Sequence, residues 1–486
     1  MSTTTQPQGP EAPWPVTAHL DDILATVRPL EPIELQLLDA QGCVLVEDVT
    51  VPLSLPPFAN SSMDGYAVRA ADLAGAGEDA PVTLKVVGDA AAGPSSGLPV
   101  AEGEAVRIMT GAPLPEGADT VVPVEWTDGG LGAGPVDRMT PHSTAPEGAS
   151  GAVRVFRPAE PGAHVRAAGS DVREGDLALA AGTVLGPPQL GLLAALGRDT
   201  VRVRPRPRVV VLATGSELVQ PGESLAPGQI HDSNSFALTA AARDAGAIAF
   251  RVGAIGDDAE TLRATIEDQL IRADLVVTSG GVSVGAYDVV KEALTGWTGL
   301  PEASAEGEGE DVGTGEDALA AQNRTAADNV PAAESVPEAE AEADGARAEA
   351  PRGVAFRKLA MQPGKPQGFG TIGRDATPVL ALPGNPVSAY VSFELFVRPA
   401  IRALAGFTDL HRPTVRAVVD APKALTSPAG RRQYLRARHA DGRVTPVGGA
   451  SSHLVGALAR ADALLVVPEE RTSVEPGEEV EVVLLG

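Results

Sequence analysis

Apolar residues change their period several times along this chain, and each change marks a different kind of element. From Thr17 they fall at Leu20, Ile23, Leu24 and Val27, one face of a helix, with Asp21 and Asp22 in its first turn. Glu34 to Val46 reads as a second helical or mixed segment. Residues 81–150 are β-rich, with strand-type runs in VTLKVVG, EAVRIMTGA and DTVVPVEW broken by Gly and Pro. PPQLGLLAALG predicts a short apolar helix that Gly197 ends. From Arg206 strand and helix alternate: PRVVVLATGSEL, then HDSNSFALTAAARDAG, AIAFRVGAIGDD, DAETLRATIEDQLIRA, ADLVVTSGGVSVGAYD, and TPVLALPGNP leading into VSAYVSFELFVRPAIRAL. That alternation predicts a parallel sheet covered on both faces. From Arg412 the pattern returns to short alternating strands, a small C-terminal β-domain.

In a parallel α/β sheet ligands bind at the carboxyl ends of the strands. Four features fall there: Thr214-Gly215-Ser216-Glu217, Asp232 to Asn234, the Ser279–Asp288 loop, and Pro383-Gly384-Asn385-Pro386. Gly280 and Gly281 let backbone N–H groups approach a ligand, and Thr278, Ser279 and Ser283 add hydroxyls. Glu217, Asp232 and Asp288 supply carboxylates. Hard oxygen donors beside phosphate-binding turns suit a Mg²⁺–phosphate ligand. Lys358 and Lys365 in RKLAMQPGKPQGFG bring positive charge. Each has a plainer alternative: Glu217 as a first-turn helix acid, Asp232 as a helix cap, the lysines as solvated charges. Asp64-Gly65 in SLPPFANSSMDGYAV is a turn signal whose plain use is a hairpin; the polar residues before it leave an acid on an exposed loop. Thr110-Gly111 follows a strand run and faces either a cleft or a simple turn.

Composition adjusts this picture. The 486 residues exceed one ordinary domain. Aromatics are only 3%, so aliphatic side chains must fill the cores. The net charge of −26 argues against a nucleic-acid groove or an anionic membrane surface. However, residues 301–350 carry 14 acids against Arg324 and Arg347, so the rest of the chain is far less acidic. Residues 301–352, rich in Glu, Ala, Gly and Pro, predict a disordered acidic insertion, and residues 1–15 a disordered tail. The lone Cys43 excludes an intramolecular disulfide framework and reads as packing. With no secretion signal and no apolar run long enough to span a bilayer, a cytoplasmic protein is expected. Walker A and HExxH patterns are absent.

Taken in order, NSSMDGYAV, IMTGAPLPEGAD, TGSEL, SGGVSVGAYD, MQPGKPQGFG and LPGNPVSAYVSFE resemble the molybdopterin molybdenumtransferases, the MoeA proteins and the gephyrin E domain. The resemblance covers 17–486 apart from the acidic insertion. It implies an α/β multidomain fold: a linker domain of 16–50 plus 151–200, a β-rich inserted domain of 51–150, a MogA-like molybdopterin-binding domain of 201–408, and a β-barrel domain of 409–486. It implies a homodimer that ligates molybdate to adenylylated molybdopterin with release of AMP, dependent on Mg²⁺. As further partners it implies a molybdopterin adenylyltransferase or, as in gephyrin, a peptide bound by a scaffold. Carried over motif by motif, Asp64 is the essential carboxylate and Thr110 lines its cleft. Glu217, Asp232 and Asp288 serve metal, oxyanion or phosphate. Thr214, Gly215, Ser279, Gly280, Gly281, Ser283, Lys358, Lys365, Pro383, Gly384, Asn385, Pro386 and Ser388 form the pterin and nucleotide surface. Gln362 stands where some relatives have lysine.

Overall fold

Three runs that read as buried strands are buried almost residue for residue: Arg208–Thr214, Leu275–Ser279 and Thr377–Leu382. A strand covered on both faces has no solvent side to alternate with, hence the unbroken Val/Leu runs. The computed structural model describes residues 12–93, 97–139, 151–282, 288–300 and 353–486. Ser283, residues 1–11 of the tail and the 301–352 insertion therefore lie outside the described residues. The chain divides into two compact units, one formed by Pro29–Arg206 with Ala405–Thr408, the other by the rest.

In the larger unit the strands Ile248–Ile255, Arg208–Thr214, Leu275–Ser279 and Thr377–Leu382 lie side by side in parallel. Helices Asn234–Asp244, Ala259–Leu270 and Val289–Leu294 connect or follow them. The sheet then continues antiparallel through Pro366–Ile372 and Gly353–Lys358. This hairpin corrects the purely parallel expectation. Its glycines are what let the strands pair: a Cβ on Gly370 would lie 1.9 Å from the Gly353 carbonyl oxygen. The C-terminal strands Thr414–Val419, Arg432–Ala440, Arg443–Pro446, Ala463–Val467 and Glu479–Leu484 close into a five-stranded barrel. Alternate residues such as Ala417, Val419, Val480 and Val482 fill its interior. Met361–Gln362 pairs in parallel with Arg432–Gln433, fastening the PGKP turn to the barrel.

Where the insertion leaves and returns, the sheet edge holds both ends: Gly373 N–H donates to Thr298 O at 2.8 Å, and a Cβ on Gly353 would sit 3.9 Å from Trp297 O. Replacing 301–352 by a linker of about six residues is expected to preserve the fold. Shortening the closed loop about eightfold should leave stability unchanged or raised by about 2 kcal/mol, read by urea denaturation.

Helix Val16–Thr26 buries His19 and Ile23. The His19 ring stands edge-on to Phe369 and Phe396, with Nδ1 buried and without a hydrogen-bond partner. Burial, reinforced by the Arg357 charge and only partly opposed by Asp22, lowers its pKa from 6.5 to about 4. The folded state thus resists a proton that the unfolded chain accepts below its own pKa. Stability present above about pH 6.5 is lost as pH falls towards 4, by on the order of 3 kcal/mol. In His19→Leu that part of the pH dependence of the melting temperature should disappear.

The smaller unit holds a five-stranded sheet in the order Thr120–Pro123, Gly65–Val68, Glu104–Ile108, Val82–Ala90, Gly151–Val155. Tyr66 and Val68 pack on one face and Ala67 on the other. A second sheet, Ile33–Gln36, Thr200–Arg204 and Val44–Leu45, packs with helix Pro187–Ala195 around Cys43, Leu185, Leu193 and Val203. The 34–46 segment is therefore strand and turn, not helix: Glu34 and Leu35 pair with Arg202 and Val201.

Candidate functional site

All four strand-end loops of the larger unit open into one cleft of about 830 Å³. Its walls include Thr214, Gly215, Glu217, Asp232, Ser279, Gly280, Gly281, Asp288, Pro383, Gly384, Asn385, Pro386 and Ser388. One side chain locks three of the loops: Asn234 Nδ2 donates to Ser279 Oγ at 2.8 Å and to Gly384 O at 2.7 Å. The glycines permit the close approach. Gly280 has φ +110°, and a Cβ there would fall 2.5 Å from Thr214 O. A Cβ on Gly384 would come 3.3 Å from Gly280 Cα.

The carboxylates differ in what they have left to offer. Asp232 is buried, accepts from Ser235 N at 3.0 Å and from the Ser235 hydroxyl, and faces Arg251 at 3.8 Å. Both its oxygens are engaged by protein, which fits the helix-cap alternative better than a metal ligand. Asp288 is the reverse: its Oδ2 is buried with no hydrogen-bond partner among the described residues, as is Thr214 Oγ1. An orphaned carboxylate oxygen in a cleft wall calls for a ligand, a cation or water. Glu217 is exposed, its carboxyl group lying over Gly215. Asp257, unremarked in sequence, accepts from Ser216 N at 3.0 Å and Ser216 Oγ at 2.6 Å. Among the described residues no three His, Cys, Asp or Glu groups form a ready metal shell. One or two carboxylates whose remaining ligands are phosphate oxygens and water are what Mg²⁺ ordinarily takes, so Asp288 and Glu217 fit that ion and a preassembled protein cage is not required.

A second cavity of about 430 Å³ adjoins the first, sharing Pro366, Ser388 and His453 with it. Gln362, Lys365, Arg431, Ser451 and Ser452 complete its polar lining. The PGKP turn is held by Gln367, whose Nε2 donates to Gly364 O and to Ser392 Oγ, each at 2.6 Å. The barrel loop bearing Ser451 to His453 is fastened at two points. Arg436 Nη2 donates to Gly449 O, and Val387 N–H donates to Ser452 O at 3.0 Å. Two cations and three hydroxyls around a small cavity suit an oxyanion. Sequence reading missed Arg431, Ser451, Ser452 and His453, because RRQY and SSH sit in barrel segments with no motif of their own. Lys358 lines neither cavity; it is exposed at the end of the Gly353–Lys358 strand, its carbonyl accepting Trp14 N–H at 2.8 Å.

In the smaller unit Asp64 and Thr110 do meet. Asp64 Oδ1 accepts from Thr110 N at 2.7 Å and from Thr110 Oγ1 at 2.9 Å, and both residues are exposed. Asp64-Gly65 opens the central strand Gly65–Val68 instead of capping a hairpin.

The sheet that carries the strand-end cleft falls almost wholly within residues 210–323 and 334–403, which match the family described as "Probable molybdopterin binding domain". The flanking regions narrow this class. Residues 14–197 match "MoeA N-terminal region (domain I and II)" and residues 418–485 match "MoeA C-terminal region (domain IV)". The chain belongs to the MoeA family. It is 42% identical over 469 residues to "Molybdopterin molybdenumtransferase 2" of Mycobacterium tuberculosis, covering 96% of this chain and 98% of that protein. It is 31% identical to "Molybdopterin molybdenumtransferase" of Bacillus subtilis, over 92% of this chain and 89% of that one. The crystal structure of the molybdopterin biosynthesis MoeA protein from Pyrococcus horikosii superposes with a TM-score of 0.66 at 30% identity, covering 98% of this chain and 100% of the other. Among the described residues no helix is long and apolar enough to cross a membrane.

Proposed function

We propose that this chain is a molybdopterin molybdenumtransferase that ligates molybdate to adenylylated molybdopterin and releases AMP, with Mg²⁺, as a cytoplasmic homodimer. The observation that carries the reading is the pairing of a strand-end cleft, roomy enough for a pterin nucleotide, with an adjoining cavity whose cationic and hydroxyl lining suits an oxyanion. Family membership supports it, since the curated relatives are transferases by name.

The backbone of Gly280, Gly281 and Gly384 cradles the anionic pterin nucleotide, and at Gly280 and Gly281 a Cβ would collide with Thr214 and Val290. Lys365 and Arg431, with Ser388, Ser451 and Ser452, bind molybdate and offset its repulsion by the substrate's phosphates. Asp288 and Glu217 would hold Mg²⁺, and Asp232 fixes the cleft wall. The ion, when bound, neutralises phosphate charge and polarises the phosphoanhydride. Asp64, braced by Thr110, is the further carboxylate on which the reaction depends.

The test is incubation of the purified chain with adenylylated molybdopterin, molybdate and Mg²⁺, following AMP and active cofactor together. The proposal expects AMP release that requires molybdate and is suppressed by EDTA. AMP release indifferent to both, or none at all, overturns it. A scaffold that only binds a peptide would instead leave Asp64, Asp288 and Lys365 dispensable.

A further inference from the structure

His453 comes from the barrel, yet it lines both the strand-end cleft and the oxyanion cavity. Among the described residues the only others common to the two are Pro366 and Ser388, so His453 is the one shared residue whose side chain has two ring nitrogens able to accept and donate a proton. It is exposed, and its loop is pinned to the barrel through Arg436 and to the α/β body through Val387. The fixed loop, the open side chain and the position between the two substrates' compartments suit a group that acts on both.

We infer that His453 is a catalytic proton carrier between the pterin dithiol and molybdate. The inference rests on the transferase reading above. Ligation forms two Mo–S bonds and breaks one Mo–O bond. The dianion MoO₄²⁻ and two S–H groups give a trioxo dithiolate dianion and one water. The two thiol protons leave with the displaced oxygen, and no electron changes hands. Some group must therefore take protons from sulfur on the cleft side and deliver them to oxygen on the cavity side. An imidazole does this by accepting on one ring nitrogen and donating from the other. Arg431 offers donors and no acceptor, which suits it, with Lys365 beside it in the cavity lining, to bind the oxyanion.

The experiment compares wild type with His453→Ala and His453→Gln, using adenylylated molybdopterin, molybdate and Mg²⁺. His453→Ala is expected to lower kcat about 100-fold, with the KM for molybdate changed less than about threefold and thermal stability unchanged. Added imidazole should restore turnover to His453→Ala. His453→Gln, which can hydrogen-bond but not relay, should stay slow. A raised KM with kcat preserved, a fully active His453→Gln, or no rescue by imidazole each overturns the assignment. Wild type without molybdate-dependent turnover would reject the transferase reading itself, a result visible before any variant is made.

Discussion

Asp288→Ala should lower molybdate-dependent AMP release at least about 100-fold while leaving the melting temperature unchanged or higher. The two halves of this result have one cause. Asp288 Oδ2 is buried without a hydrogen-bond partner among the described residues, and such a group costs about 1–3 kcal/mol of stability. Asp288 precedes helix Val289–Leu294, but its side chain makes no capping hydrogen bond, so alanine forfeits none. Removing the carboxylate relieves the burial cost and also removes a fixed charge from the phosphate side of the cleft. Loss of one preorganised electrostatic contact typically costs a factor of about 100–1,000 in turnover. Asp232→Ala should do the opposite to stability: its two oxygens hold Ser235 and face Arg251, so the protein should melt earlier. Thermal melts of the two variants, read beside AMP release, separate a functional carboxylate from a structural one.

Gly280→Ala should destabilise the larger unit by about 2–6 kcal/mol and abolish activity in whatever remains folded. At φ +110° an L side chain is strained wherever it has space, and here it has none, with Thr214 O 2.5 Å and Thr214 Oγ1 2.7 Å from the new Cβ. Overpacking against a fixed backbone carbonyl costs about 1–3 kcal/mol, and the backbone strain adds about 1–3 more. The strand carrying Thr214 lies next to that of Ser279 in the middle of the sheet, so neither can yield without breaking pairing. Gly384→Ala is the matched control. Its Cβ would meet only Gly280 Cα, at 3.3 Å, and a shift of a few tenths of an ångström accommodates it. Urea denaturation should show a much smaller loss for Gly384→Ala, with pterin binding weakened because its loop has moved.

The parallel sheet was legible in sequence because burial on both faces writes itself as unbroken runs such as VVVLA and LVVTS. The strand-end loops were legible for a related reason: a chain that must turn sharply against a neighbouring backbone leaves adjacent glycines behind. Two parts were hidden. Gly353–Lys358 and Pro366–Ile372 pair through glycines at Gly353, Gly368 and Gly370, so this hairpin lacks the unbroken apolar run that marks the other strands. The cationic cavity was only half visible. Lys365 sits in a recognisable turn, but Arg431 and Ser451 to His453 reach it through the barrel, brought there by the pairing of Met361–Gln362 with Arg432–Gln433. No local pattern encodes a contact made across so much chain. Asp232 shows the converse limit, since an acid at the right place in a motif proved to have both oxygens occupied by its own helix and Arg251.

Entry of the oxyanion into the cavity beside the strand-end cleft is the step on which the proposed reaction turns. Its most direct test is the molybdate concentration required for half-maximal AMP release in the Lys365→Ala, Arg431→Ala double variant. Loss of two charge-assisted contacts should raise that requirement at least about 30-fold, with binding of adenylylated molybdopterin unchanged. An unaltered molybdate requirement would contradict the account.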